Sequence, residues 1–274
     1  MAVHAPRLRP LGVGDLLDEM MRLYRNHFVL LAGIAAVVLV PLMVAANLWG
    51  WLFGRQFSGG GLAWNSGAWG ILGALGGVAI NLAISYAVSE IYLGRHPSIG
   101  SSYAGGLQRF GSAVVLSFLI GLSVVLMAIT LIGIPVAVYF GVCWMLSFQT
   151  FVLERQGVRS ALSRSRALIR GHWWRVLGIA ILVGILGWVV GFVISIPALV
   201  LGGASVFLPE GFGKAIITVL AALVNIVSDV FVTPIWFCGA VLLYYDLRVR
   251  KEGFDLELMA RELGTTSESD PTVA

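Results

Sequence analysis

Sixteen of the eighteen Lys and Arg residues fall on one side of six long apolar runs, and that asymmetry admits very few architectures. The runs extend approximately from Phe28 to Phe53, Ala68 to Leu93, Ser112 to Leu131, Pro135 to Leu153, Trp174 to Leu201 and Ala215 to Tyr245. Each can cross a ~30 Å hydrocarbon core, which takes about 20 helical residues. Arg7, Arg9, Arg22 and Arg25 precede the first run; Arg95 and Arg109 follow the second. Arg155, Arg159, Arg164, Arg166, Arg170 and Arg175 follow the fourth, and Arg248, Arg250, Lys251 and Arg261 close the chain. Only Arg55 and Lys214 are left on the other side. The positive-inside rule then places both termini in the cytoplasm, and a count of five or seven spans would destroy the bias. Charged residues make up 12% of the chain, against roughly 25% in a soluble domain, so lipid must be the solvent for most of it.

The expected fold is an all-α polytopic membrane protein: six transmembrane helices with amphipathic helices on the cytoplasmic surface. Residues 1–27 form a cytoplasmic segment, 28–245 the membrane domain, and 246–274 a tail expected to be disordered after about residue 264. No short apolar region with an A-x-A site precedes Phe28, so no cleaved signal peptide is expected. Ile132-Gly133-Ile134-Pro135 predicts a tight hairpin between the third and fourth spans, because proline is tolerated in the first turn of a helix.

In the connection 154–173, apolar residues recur at helical spacing from Val158 to Trp173 while Arg159, Arg166 and Arg170 gather on another face. That pattern predicts a basic helix in the inner headgroup layer, with its apolar stripe in the acyl boundary. Arg159, Arg164, Arg166 and Arg170 are then candidate contacts for anionic lipid. An N-terminal helix with Leu16, Met20, Leu23 and Tyr24 on its apolar side should behave similarly. The two segments align without gaps: Leu23-Tyr24-Arg25-Asn26-His27-Phe28 on Leu168-Ile169-Arg170-Gly171-His172-Trp173. A fainter third copy starts at Leu107-Gln108-Arg109-Phe110, which suggests a threefold repeat of one surface helix and two spans.

Asp229 lies near the middle of the sixth run, one turn after Asn225. An ionised carboxylate there costs about 3 kcal/mol on insertion scales, so it needs a partner. It is read either as a coupling site for protons or ions, or as a protonated strut between helices. Asn81 and Ser85 open a polar stripe on the second span, near whose inner end Glu90 can pair with Arg95. Such a stripe suits a water-filled path or ordinary interhelical hydrogen bonding. Small residues spaced for close packing are Gly73 and Gly77; Gly133, Ala137 and Gly141; and Gly187, Gly191 and Ser195. Cys143 and Cys238 read as small apolar residues. The four scattered His residues suggest no metal, no cofactor is implied, and the net charge of +4 reflects the inner-face islands rather than a nucleic-acid partner.

Two further segments carry a family pattern. Arg9-Pro10-Leu11-Gly12-Val13-Gly14-Asp15-Leu16-Leu17-Asp18, followed by Leu23-Tyr24-Arg25-Asn26-His27-Phe28, is one, and the stretch Leu243-Tyr244-Tyr245-Asp246-Leu247-Arg248-Val249-Arg250-Lys251-Glu252-Gly253-Phe254-Asp255-Leu256-Glu257 is the other. With Glu154-Arg155 and the Arg-rich helix ending at Trp173-Trp174, they resemble the bacterial family called the glycerophosphoryl diester phosphodiesterase membrane domain. In members that are phosphodiesterases, the resemblance implies, catalysis resides in a separate soluble barrel. The sequence before Ala274 leaves no room for one, which implies a stand-alone membrane module. The expected role is non-enzymatic organisation of membrane lipid, or of a partner protein, at the cytoplasmic membrane. The alternative is a transporter or channel using Asp229, Asn225, Asn81 and Ser85. An intramembrane enzyme ranks third, because no nucleophile elbow, Walker loop or H-E-x-x-H motif is present.

Overall fold

The computed structural model describes residues 12–53, 62–92, 94–209 and 211–252, except the side chains of 51, 53 and 62–68. Arg9-Pro10-Leu11 of the N-terminal motif, Arg55 and the tail beyond 252, with its expected disorder, lie outside the described residues. The elements are α1 (Val13–Asn26), α2 (Phe28–Phe53), α3 (Leu62–Tyr92), α4 (Ile99–Gly106), a 3-10 turn (Leu107–Arg109), α5 (Phe110–Ala128) and α6 (Gly133–Trp144). They continue with α7 (Ser147–Leu153), α8 (Val158–Ile169), α9 (Trp173–Val206) and α10 (Phe212–Glu252). Among the described residues, six helical runs are long and apolar enough to cross a membrane. Helix is the form that pairs every backbone group without water, which is what hydrocarbon demands.

Several helices run past the expected ends, α3 beginning at Leu62 and α9 ending at Val206. The sixth helix does not stop at Tyr245 but continues to Glu252, so the first part of the tail is helical. The fourth span is broken. Leu146 leaves helical geometry at φ −93° and ψ 9°, and the Met145 amide reaches back only to the Val142 carbonyl. Ser165 on α8 donates to the Cys143 carbonyl at 2.8 Å, which supports this departure from the regular ladder.

Three times a short helix precedes a pair of spans, and the joint between them has the same shape each time. His27 (φ −118°, ψ 25°), Arg109 (φ −124°, ψ 31°) and His172 (φ −125°, ψ 19°) hold it, each followed by an aromatic: Phe28, Phe110 and Trp173. Each short helix also pins itself to a span of another pair through a hydroxyl and a backbone carbonyl. Tyr24 of α1 donates to Phe231 of α10 at 2.8 Å, Tyr103 of α4 to Ile34 of α2 at 2.6 Å, and Ser165 of α8 to Cys143 of α6. Every short helix therefore leans on the preceding pair, and the first leans on the third. The order closes into a ring, with α3, α7 and α10 touching at its centre.

The apolar stripes of the short helices face protein rather than the acyl boundary. Leu16, Met20 and Leu23 of α1, and Ala161, Leu168 and Ile169 of α8, are buried in the bundle. The larger buried apolar cluster lies at this end and includes Leu16, Met20, Ile84, Leu146, Ile169 and Leu242. At the opposite end Ile129, Leu131, Ile132, Val206 and Phe207 stand exposed, as lipid-facing side chains would.

The small-residue stripes divide. A Cβ on Gly184, Gly187 or Gly191 would lie 3.0–3.1 Å from Trp236 or Val232, so α9 meets α10 closely within one chain. Gly73, Gly77 and Gly141 face open space, and it is Gly76 that admits Val38. Gly133 serves the hairpin, lying against the Met127 carbonyl.

Candidate functional site at the basic end

The end of α10 carries two charged faces, one built from Tyr244, Arg248 and Glu252, the other from Asp246 and Arg250. In each, neighbours stand four residues apart and so share a helix face. The first face meets Glu154, where α7 stops, and Arg164 on α8. Arg164 Nε donates to Glu154 at 2.8 and 3.1 Å, and its Nη2 donates to Glu252 at 2.8 Å. Tyr244 Oη donates to Glu154 at 2.9 Å, and Arg248 Nε to Glu252 at 3.3 Å. Hydrogen bonding to Glu252, then to Glu154, holds the Arg164 guanidinium above its ordinary pKa despite burial.

The second face is the more deeply placed. The Asp246 side chain is 0% exposed and lies between two guanidiniums. Arg250 Nε donates to both its oxygens at 3.1 and 3.0 Å, and Arg175 Nη2 donates at 3.1 Å from the start of α9. Lys251 adds a bond to the Ala167 carbonyl at the end of α8. Arg109, above the Phe151 ring at 4.6 Å, donates to the Gln156 carbonyl at 2.7 Å. These contacts join α7, α8, α9 and α10 into one plate.

Arg164, grouped by sequence with the headgroup arginines, is therefore committed to Glu154 and Glu252. Its neighbour α7 ends in a carboxylate that faces α8, a pairing no periodicity reveals. Arg159, Arg166 and Arg170 remain exposed, Arg166 lying 5.6 Å above the Phe140 ring. Glu90 accepts from Arg95 Nη1 at 3.1 Å on both oxygens.

Within the spans, Ser85 donates to Asn81 at 3.2 Å, and the fully buried Ser85 and half-buried Asn81 form a local pair on α3. Asn225 and Asp229 are exposed on α10. Among the described residues, no hydrogen bond or ion pair reaches Asp229, and none joins it or Asn225 to the α3 pair. At this depth α9 and α10 are instead linked by Ser195 to Ser228 at 3.0 Å, with Ser228 also donating to the Gly191 carbonyl at 3.2 Å. At the break before α7, Ser147 Oγ and Gln149 Oε1 are buried without a partner among the described residues. No group of three His, Cys, Asp or Glu side chains among the described residues could hold a metal ion.

Sequence reasoning missed the roles of Glu154, Arg175, Tyr244, Asp246 and Glu252. The four-residue spacing along 244–252 was the available signal, since it marks two adjacent charged helix faces.

The family model described as the membrane domain of glycerophosphoryl diester phosphodiesterase matches residues 115–268, more than half of the chain. No curated protein and no solved structure matches.

Proposed function

From a chain that belongs to the family of the membrane domain of glycerophosphoryl diester phosphodiesterase, we propose a non-enzymatic platform in the cell membrane that organises anionic lipid or a partner protein. Both termini lie on the cytoplasmic side in this reading, which the arginine asymmetry supports. One observation carries the proposal. The family-pattern residues Glu154, Tyr244, Asp246 and Glu252 bind one another's helices together, while Arg159, Arg166 and Arg170 are left facing outward. A rigid plate with free guanidiniums at headgroup depth attracts anionic surfaces, at about 1 kcal/mol per arginine.

The combined variant Arg159→Gln, Arg166→Gln and Arg170→Gln tests this. Protein extracted in mild detergent should lose its enrichment in co-purifying anionic phospholipid, or its stoichiometric protein partner, while keeping its thermal unfolding midpoint. Wild-type protein that carries neither would defeat the proposal.

A second reading rests on Asp229, a carboxylate within a span that nothing among the described residues pairs. As a proton- or ion-coupled site it would make flux into liposomes pH-dependent, and Asp229→Asn would abolish that dependence. Flux that is unaltered by the substitution removes the residue from any transport mechanism.

A further inference from the structure

The corner where α1 turns into α2 and the start of α4 together wall an open groove of about 710 Å³. In chain order its lining passes from Arg25, Asn26 and His27 to Phe28, Val29 and Leu30, with Ser98, Ile99 and Gly100 opposite. No carboxylate is among these residues. Arg25 is exposed, and among the described residues no ion pair neutralises it. Burial, with His96 adding to it, pushes His27 below its ordinary pKa, so the groove's positive charge belongs to Arg25. Ser98 Oγ accepts from the Ser101 amide at 3.1 Å, which leaves the Ile99 and Gly100 amides without intrahelical acceptors. Beyond this polar end the wall turns apolar: Val29 is 81% exposed, and Ile99 packs where a Cβ on Gly33 would stand.

We propose that this groove holds one anionic phospholipid, its phosphate against Arg25 and the first amides of α4 and an acyl chain along Val29 and Ile99. The order of chemistry matches such an amphiphile. A cation and free amides stand where α1 ends, and an apolar wall begins with the first turn of a span. A free phosphate would leave that wall in water, and a zwitterionic lipid would set its own cation near Arg25. The inference rests on the reading that the basic end lies at headgroup depth, but it does not require the exposed arginines of α8. An occupant here would wedge between the first pair of spans and the short helix of the second.

The full chain in phosphatidylcholine liposomes, given phosphatidylglycerol with a diazirine in its upper acyl chain, supplies the test. Photolysis should label 25–30 and 98–100, with unlabelled phosphatidylglycerol competing and phosphatidylcholine or glycerol phosphate not competing. Arg25→Gln should weaken labelling about fivefold, the effect of one arginine at an anionic membrane surface, and Arg25→Lys should restore most of it. Ile99→Trp should fill the groove and remove the adduct. Should that variant fail to fold, Val29→Glu sets a like charge at an exposed position and should do the same. The triple arginine variant of α8 should leave this adduct intact, which separates the groove from the wider platform. Equal competition by phosphatidylcholine, displacement by glycerol phosphate, or labelling indifferent to Arg25→Gln would each overturn the proposal.

Discussion

Asp246 is the residue on which the basic end most depends. A carboxylate with no exposed side-chain area is tolerable because it is paired, and the Arg175 and Arg250 guanidiniums both donate to it. Removing one partner of a buried pair leaves the other charge uncompensated, typically at 3–5 kcal/mol. Asp246→Ala should therefore destabilise the protein by about 3 kcal/mol, read as a lower thermal midpoint in detergent. Tyr244→Phe deletes the hydroxyl bond to Glu154 and the longer one accepted from Arg248 Nη1 at 3.4 Å, and should cost about 1 kcal/mol. If the two variants unfolded at the same temperature, the plate would not be held by Asp246 in the way its geometry implies. Asp229 shows the opposite case. Its position was plain in the sequence, but its lack of a described partner was not, because burial depends on which way a helix is rotated.

Between elements, the closest approaches decide which helices can sit together. A Cβ on Gly106, at the end of α4, would lie 2.8 Å from the Leu82 carbonyl of α3, backbone that cannot yield as a flexible side chain would. Gly106→Ala should cost about 1–3 kcal/mol by overpacking. Gly73→Ala, which meets nothing within 4 Å, should be neutral or stabilising by up to about 1 kcal/mol from helix propensity. Thermal unfolding of the pair measures this directly; equal midpoints would mean that α4 can shift away from α3. Four-residue spacing picked out Gly187 and Gly191 correctly as packing positions but chose Gly73 and Gly77 over Gly76. Spacing marks a face of a helix without saying whether a neighbour lies there. The short helix α4 was implied only through the faint copy at Leu107, because its own sequence is too brief and too polar-neutral to show a period.

For the whole molecule, the proposed orientation makes a prediction that its two cysteines do not obscure. Cys143 and Cys238 are both buried, so background labelling in intact cells should be low. A cysteine introduced at Arg159 should react only after the membrane is permeabilised, and one at Leu131 should react with an impermeant reagent in intact cells. The reverse pattern would invert the topology and sink the inner-face platform with it. The cyclic order of hydroxyl pins, from α1 to α10, α4 to α2 and α8 to α6, further implies that the three pairs of spans stabilise one another.

Hydropathy and charge bias are properties of short stretches, and a bilayer reads them locally. For that reason the sequence alone determined the six apolar helices, the hairpin at Gly133 and the family. It could not determine which arginines stay free. Arg164, Arg175 and Tyr244 each have a partner 71 to 90 positions away, on helices whose rotation and contact are fixed only by packing. Tertiary structure therefore decided that the tail motif is a clamp, that the apolar stripes of α1 and α8 face protein, and that Arg25 stands beside an open groove.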